Sequence, residues 1–484
     1  MVRTLSIGIA GAGIGGLAGA ALLARQGHRV TLFDQFEAAG PVGSGLMLQE
    51  TGLVILDQLG LRGAVEAAGA PIARLWGVSS ETGRAVLDVR YDALRAGIGG
   101  LAGAALLARQ GHRVTLFDQF EAAGPVGSGL MLQETGLVIL DQLGLRGAVE
   151  AAGAPIARLL GVSSETGRAV LDVRYDALRA GLRGIGIQRT ALFTLLHDAA
   201  VSSGARLVTG ARITAANAAH GTLVDAASGA HGPFDLVIDA LGVRSPLASV
   251  PVNKLPYGAL WATLPWPEEG PFDRSALEQR YEAARKMAGV MPSGRAYEGA
   301  VQSLTYFWSI RGDAHAEFRA APLVHWKDAA RALWPETAIL VDQIADHDQL
   351  TFARYRHRTH WPAATGRLIH IGDSWHAASP QLGQGANMAL LDAFALAHAV
   401  QLCGEAVDIA AMYVRQRAMH VRLFQLLTWA FTPVYQSDSD ILPWLRDRLA
   451  APLSKLWPAP VLLAALVSGA LGSPLAKLGL RPGR

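Results

Sequence analysis

The chain has 484 residues, a length that suits two or three domains. Hydrophobic residues make up 51% and charged residues 17%, which is typical of a soluble protein with well-filled cores. The net charge is only +3, and no basic cluster with interleaved aromatic residues occurs, so a nucleic-acid partner is not expected. The single cysteine, Cys403, excludes an internal disulfide and a cysteine-based metal site. We expect no metal and a cytoplasmic location, which a lone cysteine fits.

The N-terminal stretch has the pattern of a dinucleotide-binding unit. An apolar run from Leu5 to Ala10 predicts a buried strand, and Gly11, Gly13 and Gly16 follow it at G-x-G-x-x-G spacing. A helical segment and a second strand ending in Asp34 complete the unit. The glycines permit a tight turn and close approach of the backbone to a pyrophosphate, and the acid can bind a ribose hydroxyl. A glycine-rich turn in an ordinary α/β protein is the alternative, whereas a signal peptide or membrane helix disagrees with this glycine pattern.

A long tandem repeat follows this start. Residues Ala12–Gly97 and Ala96–Gly181 have the same sequence at an offset of 84 and differ only at Trp76 against Leu160. A repeat that is this long and occurs twice does not predict a solenoid. A recent duplication and an error of sequence assembly would both produce it.

The second copy lacks the start of the motif, because Arg95 stands where the first copy has Gly11. No apolar strand precedes it, so we expect its helix, Leu101–Gln110, to complete no phosphate-binding turn. One dinucleotide per chain is therefore predicted, held by the first copy. Continuity with the downstream chain favours the second copy only for the final strands of the unit, Ala169 to Tyr175.

The downstream chain alternates between strand and helix patterns. The middle region is rich in aromatic residues and has alternating runs typical of an antiparallel sheet. These patterns predict an α/β fold, with a Rossmann-like domain, an inserted antiparallel-sheet substrate domain and a helical C-terminal tail. The predicted strands are 185–189, 206–208, 213–216, 223–226, 234–241, 260–264, 303–310, 350–355 and 367–371, with a helix over 190–203, and 206–226 is predicted to form a small antiparallel meander.

A second motif lies near the C-terminus. Gly372 and Asp373 end a predicted strand, and Gly383 to Asn387 open a predicted helix. An acid at a strand end can accept a hydrogen bond from a cofactor hydroxyl, and a glycine-rich helix start offers N–H groups to an anion. Together they indicate a second contact site on the same cofactor.

Three motifs, GAGIGG, GIQRTAL and GDSWHAASPQLGQGANMALLDA, resemble the FAD-dependent aromatic-ring hydroxylase family. These are the flavoprotein monooxygenases similar to p-hydroxybenzoate hydroxylase, and the resemblance runs from Arg3 to about Val400. It implies an FAD-binding domain in the parts 1–96, 181–256 and 365–400, with 97–180 as a duplicate that is not a second FAD site. The substrate domain would be 257–364 and the helical tail 401–484.

The resemblance also implies roles for individual residues. In the implied FAD site, Gly11, Gly13 and Gly16 hold the pyrophosphate, Arg189 lies near it, and Asp34 binds the ribose. Gly372 and Asp373 bind the ribityl chain, and Pro380 lies beside the flavin ring. A helix start is placed at the pyrimidine edge of that ring by Gly383, Gly385, Ala386 and Asn387. That helix start would stabilise negative charge on the reduced flavin. Asp34 is a mild departure, because the family usually has Glu at this position.

One motif departs further from the family. The usual turn is G-A-D-G-x-R-S, and this chain has Leu241 in place of the acid, with Asp239 two residues earlier. The family uses this turn for both FAD and NAD(P)H, so the nicotinamide step is the least supported part of the resemblance. NAD(P)H is expected as a transient co-substrate without a Rossmann domain of its own.

The implied reaction is cofactor chemistry. NAD(P)H reduces FAD, reduced flavin captures O₂, and a flavin hydroperoxide transfers oxygen to an aromatic, unsaturated or lipophilic small molecule. Trp261, Phe307 and Trp308 either line an aromatic substrate pocket or pack the sheet. His376 is expected to have a structural role or one beside FAD rather than to act as a base.

Some alternatives stay open. A related FAD oxidoreductase without oxygen insertion is one, and a non-catalytic remnant disabled by the duplication is another. The apolar tail after Val407 either packs on the FAD-binding domain, forms a homodimer contact or touches a membrane surface peripherally.

Overall fold

The computed structural model describes residues 6–10, 20–21, 24, 29–33, 74–78, 85–90, 97–119 and 129–481. The chain forms two compact units, Met1–Asp92 and Ala93–Arg484. The boundary falls just before the second copy of the repeat, so that copy belongs entirely to the second unit.

The described residues of the first unit form two strand pairs. Strand β1 (Ser6–Ala10) pairs in parallel with β2 (Arg29–Phe33), and Ser6 lies opposite Arg29. Strands β3 (Arg74–Val78) and β4 (Ala85–Arg90) pair antiparallel. The parallel pair agrees with the predicted start of a dinucleotide-binding unit. The predicted cofactor residues of this copy, Gly11, Gly13, Gly16 and Asp34, lie outside the described residues.

The second unit mixes helices with several sheets. Its strands are β5 (Thr115–Phe117), β6 (Gly129–Leu132), β7 (Ala154–Ile156), β8 (Arg158–Ser163), β9 (Ala169–Arg174), β10 (Gly184–Gln188), β11 (Arg206–Val208), β12 (Ile213–Asn217), β13 (Thr222–Asp225), β14 (Ala230–His231), β15 (Val237–Asp239), β16 (Asn253–Pro265), β17 (Ala276–Glu282), β18 (Lys286–Gly294), β19 (Ser303–Arg311), β20 (Thr351–His357), β21 (Ala364–Thr365) and β22 (Leu368–His370). Its helices are α1 (Ile98–Arg109), α2 (Glu134–Gln142), α3 (Arg146–Ala152), α4 (Arg189–Ser202), α5 (His315–Ala320), α6 (Leu323–Leu333), α7 (Ala338–Val341), α8 (Asp373–His376), α9 (Gly385–Leu402), α10 (Ala406–Tyr435), α11 (Ile441–Leu445), α12 (Ala451–Leu453), α13 (Ala459–Val467) and α14 (Pro474–Lys477).

The largest sheet has seven strands in the order β20-β16-β19-β18-β17-β8-β9. The three central runs predicted for the substrate domain are neighbours in it, since β16 pairs antiparallel with both β19 and β20. The sheet also takes β8 and β9 from the second copy, with β8 parallel to β17. The sheet is therefore wider than the predicted 257–364 segment, and the preference for the second copy at Ala169 to Tyr175 is confirmed.

Shorter sheets build the rest of the unit. Strands β15 and β22 pair in parallel, as do β5 and β11. Strands β12, β13 and β14 form the antiparallel meander. The prediction that Arg206–Val208 starts this meander was wrong, because that strand pairs with β5 instead. A run of three residues carries too little periodicity to show which partner it will take.

Helix α1 lies in the core and comes from the second copy. Every residue from Gly99 to Ala108 is buried. Its glycines allow close packing, since a Cβ on Gly99 would lie 3.2 Å from the carbonyl oxygen of Ala389 in α9. The sequence predicts that this helix completes no phosphate-binding turn, and the structure places it in the core, with Gly97 beside Ala240 in the turn after β15. The second copy continues along the chain into β6 to β10, and burial of the helix stabilises it in this position.

A buried ionic network joins α9 and α10 to the turn after β22. The Arg417 guanidinium donates from Nε to Oδ1 of Asp392 at 2.7 Å, and both side chains are fully buried. Oδ2 of Asp392 lies 2.6 Å from Nε2 of His376 and accepts from the backbone N–H of Gly372 at 2.8 Å. Burial alone would raise the pKa of Asp392, but the charges of His376 and Arg417 and their hydrogen bonds lower it to about 2.

We expect Asp392→Asn to lower the free energy of unfolding by about 3–5 kcal/mol at neutral pH, because it leaves the Arg417 charge buried without a partner. The pKa of Asp392 is lowered on folding, so its contribution is present above the ordinary pKa of about 4 and is lost as pH falls towards 2. Urea denaturation of both proteins across this range measures the difference.

The control is Glu282→Gln, which breaks the exposed pair with Lys286. It should cost at most about 1 kcal/mol. Equal losses for the two variants, or a loss for Asp392→Asn that does not shrink in acid, would contradict the assignment.

Candidate functional site

A cavity of about 1130 Å³ lies in the second unit. This exceeds the roughly 300–1000 Å³ of an ordinary small-molecule pocket, so there is room for a large ligand and a second, smaller one. Four parts of the unit form its walls: the start of α1, the loops after β15 and β22, the seven-stranded sheet, and the C-terminal tail.

The first wall is the N-terminus of α1, where Gly97, Gly99 and Gly100 border the cavity. Gly97 is the N-cap, and no side chain in the described part of the chain caps the helix, so its first N–H groups can point to a ligand. A Cβ on Gly97 would lie 3.2 Å from the carbonyl oxygen of Ala240, and one on Gly100 would lie 3.1 Å from the Cβ of Ala240. These glycines form a close backbone cradle beside a helix start, the arrangement that binds phosphates.

Arg189 and Asp373 border the cavity and carry opposite charges. Both side chains are open to the cavity, although protein surrounds them on their other sides. Burial lowers the pKa of the Arg189 guanidinium, and the Asp373 charge opposes that shift. Burial likewise raises the pKa of Asp373, against the attraction of His376 and Arg189. A cation and an anion in one cavity suit a ligand that carries both phosphates and hydroxyl groups.

The loop after β22 supplies most of the predicted C-terminal site. Gly372 has φ of +60°, which glycine adopts without strain, and its N–H is held by the carboxylate of Asp392. Gly383 has φ of +62° and follows a single turn over Pro380–Leu382. The predicted residues Gly372, Asp373, Pro380, Gly383, Gly385 and Ala386 all line the cavity.

Asn387 does not line the cavity, unlike its neighbours. Its side chain is fully buried, where Oδ1 accepts from the backbone N–H of Gln133 at 2.7 Å and Nδ2 donates to the carbonyl oxygen of Met131 at 3.3 Å. The role predicted for Asn387 as a direct cofactor ligand therefore has no support in this geometry. It ties the start of α9 to β6 instead, because a helix side chain points back towards the preceding turn.

The turn after β15 carries the departure from the family pattern. Asp239 is fully buried, accepts from Ser245 Oγ at 2.7 Å and lies 2.7 Å from Nδ1 of His370. It also accepts the backbone N–H of Leu241 at 3.0 Å. Asp239, which stands two residues before the usual position of the acid, therefore holds the turn together by buried hydrogen bonds. Leu241, at the usual position, borders the cavity.

The sheet presents two of the three predicted aromatic residues to the cavity. Trp261 and Phe307 are cross-strand partners whose rings lie 5.0 Å apart, and both line the cavity. Trp308 lies in a different core, against Trp326. Trp308 does not line the cavity as predicted, because it follows Phe307 in the strand and successive strand residues point to opposite faces.

The tail forms the wall that the sequence patterns did not indicate. Helix α10 contributes Phe424 and Phe431, and the later tail contributes Arg446, Ala451 and Leu463. Apolar spacing on these helices was visible in the sequence, but a core-facing stripe and a cavity-facing stripe have the same period.

Three arginines border another part of the cavity: Arg244, Arg354 and Arg356. None has an acidic partner within ion-pair distance among residues 97–119 and 129–481. Burial lowers the pKa of the Arg356 guanidinium, and the neighbouring charges of Arg244 and Arg354 lower it further. The sequence could have shown that two of these arginines lie together, because residues two apart in a strand share one face, as Arg354 and Arg356 do in β20.

These walls fit FAD. The glycine cradle at the start of α1 and Arg189 suit a pyrophosphate, Asp373 suits a hydroxyl-bearing chain, and the uncapped start of α9 suits an electron-rich ring edge. Two buried polar atoms on the wall also lack a hydrogen-bond partner in the described part of the chain, Oε1 of Gln384 and Nε1 of Trp261. A ligand with polar groups on its ring system would satisfy such atoms.

Comparisons with known proteins agree with this fit. The family described as FAD binding domain matches residues 4–93, 95–256 and 262–423. The chain is 25% identical over 402 residues to the probable 2-heptyl-3-hydroxy-4(1H)-quinolone synthase AqdB2 of Rhodococcus erythropolis, covering 80% of this chain and 95% of that protein.

Solved structures show the same fold. Klebsiella pneumoniae HpxO in complex with FAD and uric acid superposes with a TM-score of 0.66 at 19% identity, covering 78% of this chain and 96% of HpxO. Pseudomonas aeruginosa PqsL in complex with 2-aminobenzoylacetate gives 0.63 at 19% identity, covering 73% and 97%. The chain belongs to the FAD-binding-domain family, among the FAD-dependent aromatic-ring hydroxylases that its N-terminal and C-terminal motifs resemble.

Proposed function

We propose that this protein is an NAD(P)H-dependent monooxygenase that inserts one oxygen atom of O₂ into an aromatic or unsaturated small molecule. The supporting observation is that one cavity holds the FAD-type walls, from Gly97 to Asp373, beside an apolar floor that includes Trp261 and Phe307. Bound FAD would supply the redox chemistry, taking a hydride from NAD(P)H and activating O₂. No protein nucleophile is required for this class of reaction.

The chain's own residues position the cofactor. The uncapped start of α9 presents N–H groups and the positive end of the helix dipole, which stabilise negative charge at the adjacent ring edge. The carboxylate of Asp392 holds the Gly372 backbone, so the Asp373 side chain is aimed by a buried and rigid support. His376 acts in this support through its Nε2, which lies 2.6 Å from Oδ2 of Asp392, and the residue also borders the cavity.

The second copy supplies the phosphate cradle in our proposal. Gly97 and Gly100 are the counterparts of Gly13 and Gly16, and they border the cavity together with Arg189. The first glycine of the fingerprint, Gly11, has Arg95 as its counterpart, so the cradle lacks one glycine of the usual three. One FAD per chain remains the expected content.

The floor of the cavity indicates the kind of substrate. Trp261, Phe307, Met287 and Met291 supply a broad apolar surface that suits a flat ring. Nε1–H of Trp261 has no partner among the residues that the structure describes, and it is a donor for one acceptor oxygen or nitrogen on that ring. AqdB2 is named for a quinolone carrying a heptyl chain, and the size of the cavity allows such an alkyl group beside a ring.

The arginine group supports a docking place for the nicotinamide co-substrate. Arg244, Arg354 and Arg356 have no carboxylate partner in the described residues, and NAD(P)H carries two or three phosphates. Guanidinium groups bind phosphates by charge-assisted hydrogen bonds. Transient binding at the cavity edge needs no second Rossmann domain.

The duplication provides a matched test of the cradle. We expect Gly97→Leu to raise the dissociation constant of FAD by about tenfold or more, because the side chain would enter the space between α1 and Ala240. The same change in the first copy, Gly13→Leu, should leave FAD binding unchanged. Flavin absorbance against protein concentration gives the readout, and circular dichroism checks that each variant is folded. The reverse pattern would assign the cradle to the first copy.

The reaction is tested with isotopically labelled O₂. Candidate aromatic and alkylated ring compounds are screened for stimulation of NAD(P)H oxidation, and the product is analysed by mass spectrometry. We expect one labelled oxygen atom per product molecule. NAD(P)H oxidation with a product that lacks labelled oxygen would support the oxidoreductase without oxygen insertion. Folded protein that takes up no flavin would support the non-catalytic remnant.

For the co-substrate, we expect Arg356→Gln to raise KM for NAD(P)H by about tenfold with little change in kcat, because it removes a charge-assisted contact to phosphate. Arg244→Gln and Arg354→Gln should act in the same direction, and salt should raise KM in the wild type. Arg415→Gln is the control, since Arg415 is exposed and distant in sequence from these three. Steady-state kinetics at two salt concentrations distinguish the outcomes, and an unchanged KM in all three would contradict this docking place.

A further inference from the structure

The tail carries an exposed apolar surface that neither the core nor the cavity explains. Two tryptophans are the most prominent members, with Trp457 85% exposed and Trp444 56% exposed. Large apolar side chains are normally buried, and an exposed group of them often marks an interaction surface. We define this surface as the tail face, and its residues are Ile441, Trp444, Leu445, Leu449, Leu453, Leu456 and Trp457.

The segment beneath the tail face is firmly anchored. Arg446 is buried, and its guanidinium lies 5.1 Å from the ring of Tyr281 and 5.3 Å from that of Tyr435. It also donates to the carbonyl oxygens of Ala283 at 3.1 Å and Val434 at 3.3 Å. These contacts fix which side of the segment faces inward, so the exposure of the opposite side is built into the fold.

The inward side of the same segment borders the cavity. Arg446, Ala450, Ala451 and Ser454 line it, and Leu463 of α13 continues that wall. One short stretch of chain therefore separates the proposed substrate site from the tail face.

The acidic residues of the segment are all paired, so the charges left without a partner in the described part of the chain are positive. Asp438 pairs with Arg311, Asp440 with Arg285, and Asp447 with Arg446. Two exposed cations among the apolar residues, Arg448 and Lys455, have no acidic partner within ion-pair distance among residues 97–119 and 129–481. The tail face thus combines tryptophan, leucine and unpaired positive charge.

We propose that the tail face docks on the surface of an anionic lipid bilayer. Tryptophan is enriched at the level of lipid headgroups, and basic residues beside an apolar face are attracted to anionic lipids. Docking places the cavity wall against the bilayer, which suits a substrate with an alkyl chain. The choice of a lipophilic substrate rests on the proposed function, whereas the binding to lipid does not.

The docked segment lies on the bilayer and does not cross it. The helices of the segment are short, with five residues in α11, three in α12 and nine in α13. A π-helical turn over Arg446–Ala450 joins α11 to α12, and Pro458 precedes α13. Among the helices of the described residues, none is long and apolar enough to span a membrane. Shallow insertion of side chains at the interface is therefore the mode of contact.

Co-sedimentation of the full chain with vesicles tests the proposal. One set of vesicles is phosphatidylcholine alone, and the other contains about one third phosphatidylglycerol. We expect the wild type to bind the anionic vesicles at least about tenfold more tightly than the neutral ones. The combined variant Trp444→Ser, Leu449→Ser, Trp457→Ser should lose at least about tenfold on both. The pair Arg448→Gln, Lys455→Gln should lose the preference for anionic vesicles.

The control removes exposed apolar side chains elsewhere, with Val301→Ser and Val324→Ser. It should bind vesicles as the wild type does. Folded wild-type protein that binds neither vesicle overturns the proposal, as does a triple variant that binds as tightly as the wild type. A dimer in size-exclusion chromatography that the triple variant abolishes, without any vesicle binding, assigns the tail face to a second copy of the chain and also overturns it. Sedimentation requires no turnover, so an inactive protein that still binds vesicles would refute the proposed function and leave this inference standing.

Discussion

The carboxylate of Asp392 is the contact on which the candidate site depends. It lies on α9, receives Arg417 from α10, and holds both His376 and the Gly372 backbone in the loop that borders the cavity. Full burial makes this network costly unless every partner is present. The orientation of Asp373 and the docking of α10 are therefore linked through one side chain. The rest of the tail follows α10, so the cavity wall that the tail provides depends on the same link.

The repeat places two nearly identical segments in competition for one position in the fold. Local continuity with Ser6–Ala10 favours the first copy, whereas continuity with β6 to β10 favours the second. The second unit contains α1, β8 and β9 from the second copy, all packed into shared cores or sheets. Many long-range contacts that form together outweigh one short connection, because each buried side chain adds to the same cooperative structure. Strands β1 and β2 of the first unit pair in parallel, as the start of the motif requires.

Much of this architecture was predictable from periodicity and motifs. The strand and helix around Arg189, the antiparallel pairing of β16 with β19 and β20, and the loop from Gly372 to Ala386 appear where the sequence patterns indicate them. Three features were not predictable. Face alternation separates Trp308 from Phe307, and only the observed register shows which of them meets the cavity. Asn387 turns inward because Gln133 offers it a backbone partner. The two copies of the repeat contain the same helix sequence, so no local pattern shows which copy packs against α9. Contacts with distant parts of the chain decide this.

The cavity draws its walls from parts of the chain with different constraints. The loops after β15 and β22 are held by the buried carboxylates of Asp239 and Asp392, which leave little freedom to vary. The wall from Arg446 to Val467 belongs to no sheet. In the described structure Arg446 anchors its start against two tyrosines, and Ala464, Leu466 and Val467 are buried in the cores at its end. Exchanges of side chains near its start, such as the exposed Ala450 and the half-buried Ser454, can reshape the substrate end without touching the contact between Val467 and Gln384 at the cofactor end. Over evolutionary time, new substrate ranges in this lineage are thus expected to arise through the tail rather than through the catalytic half.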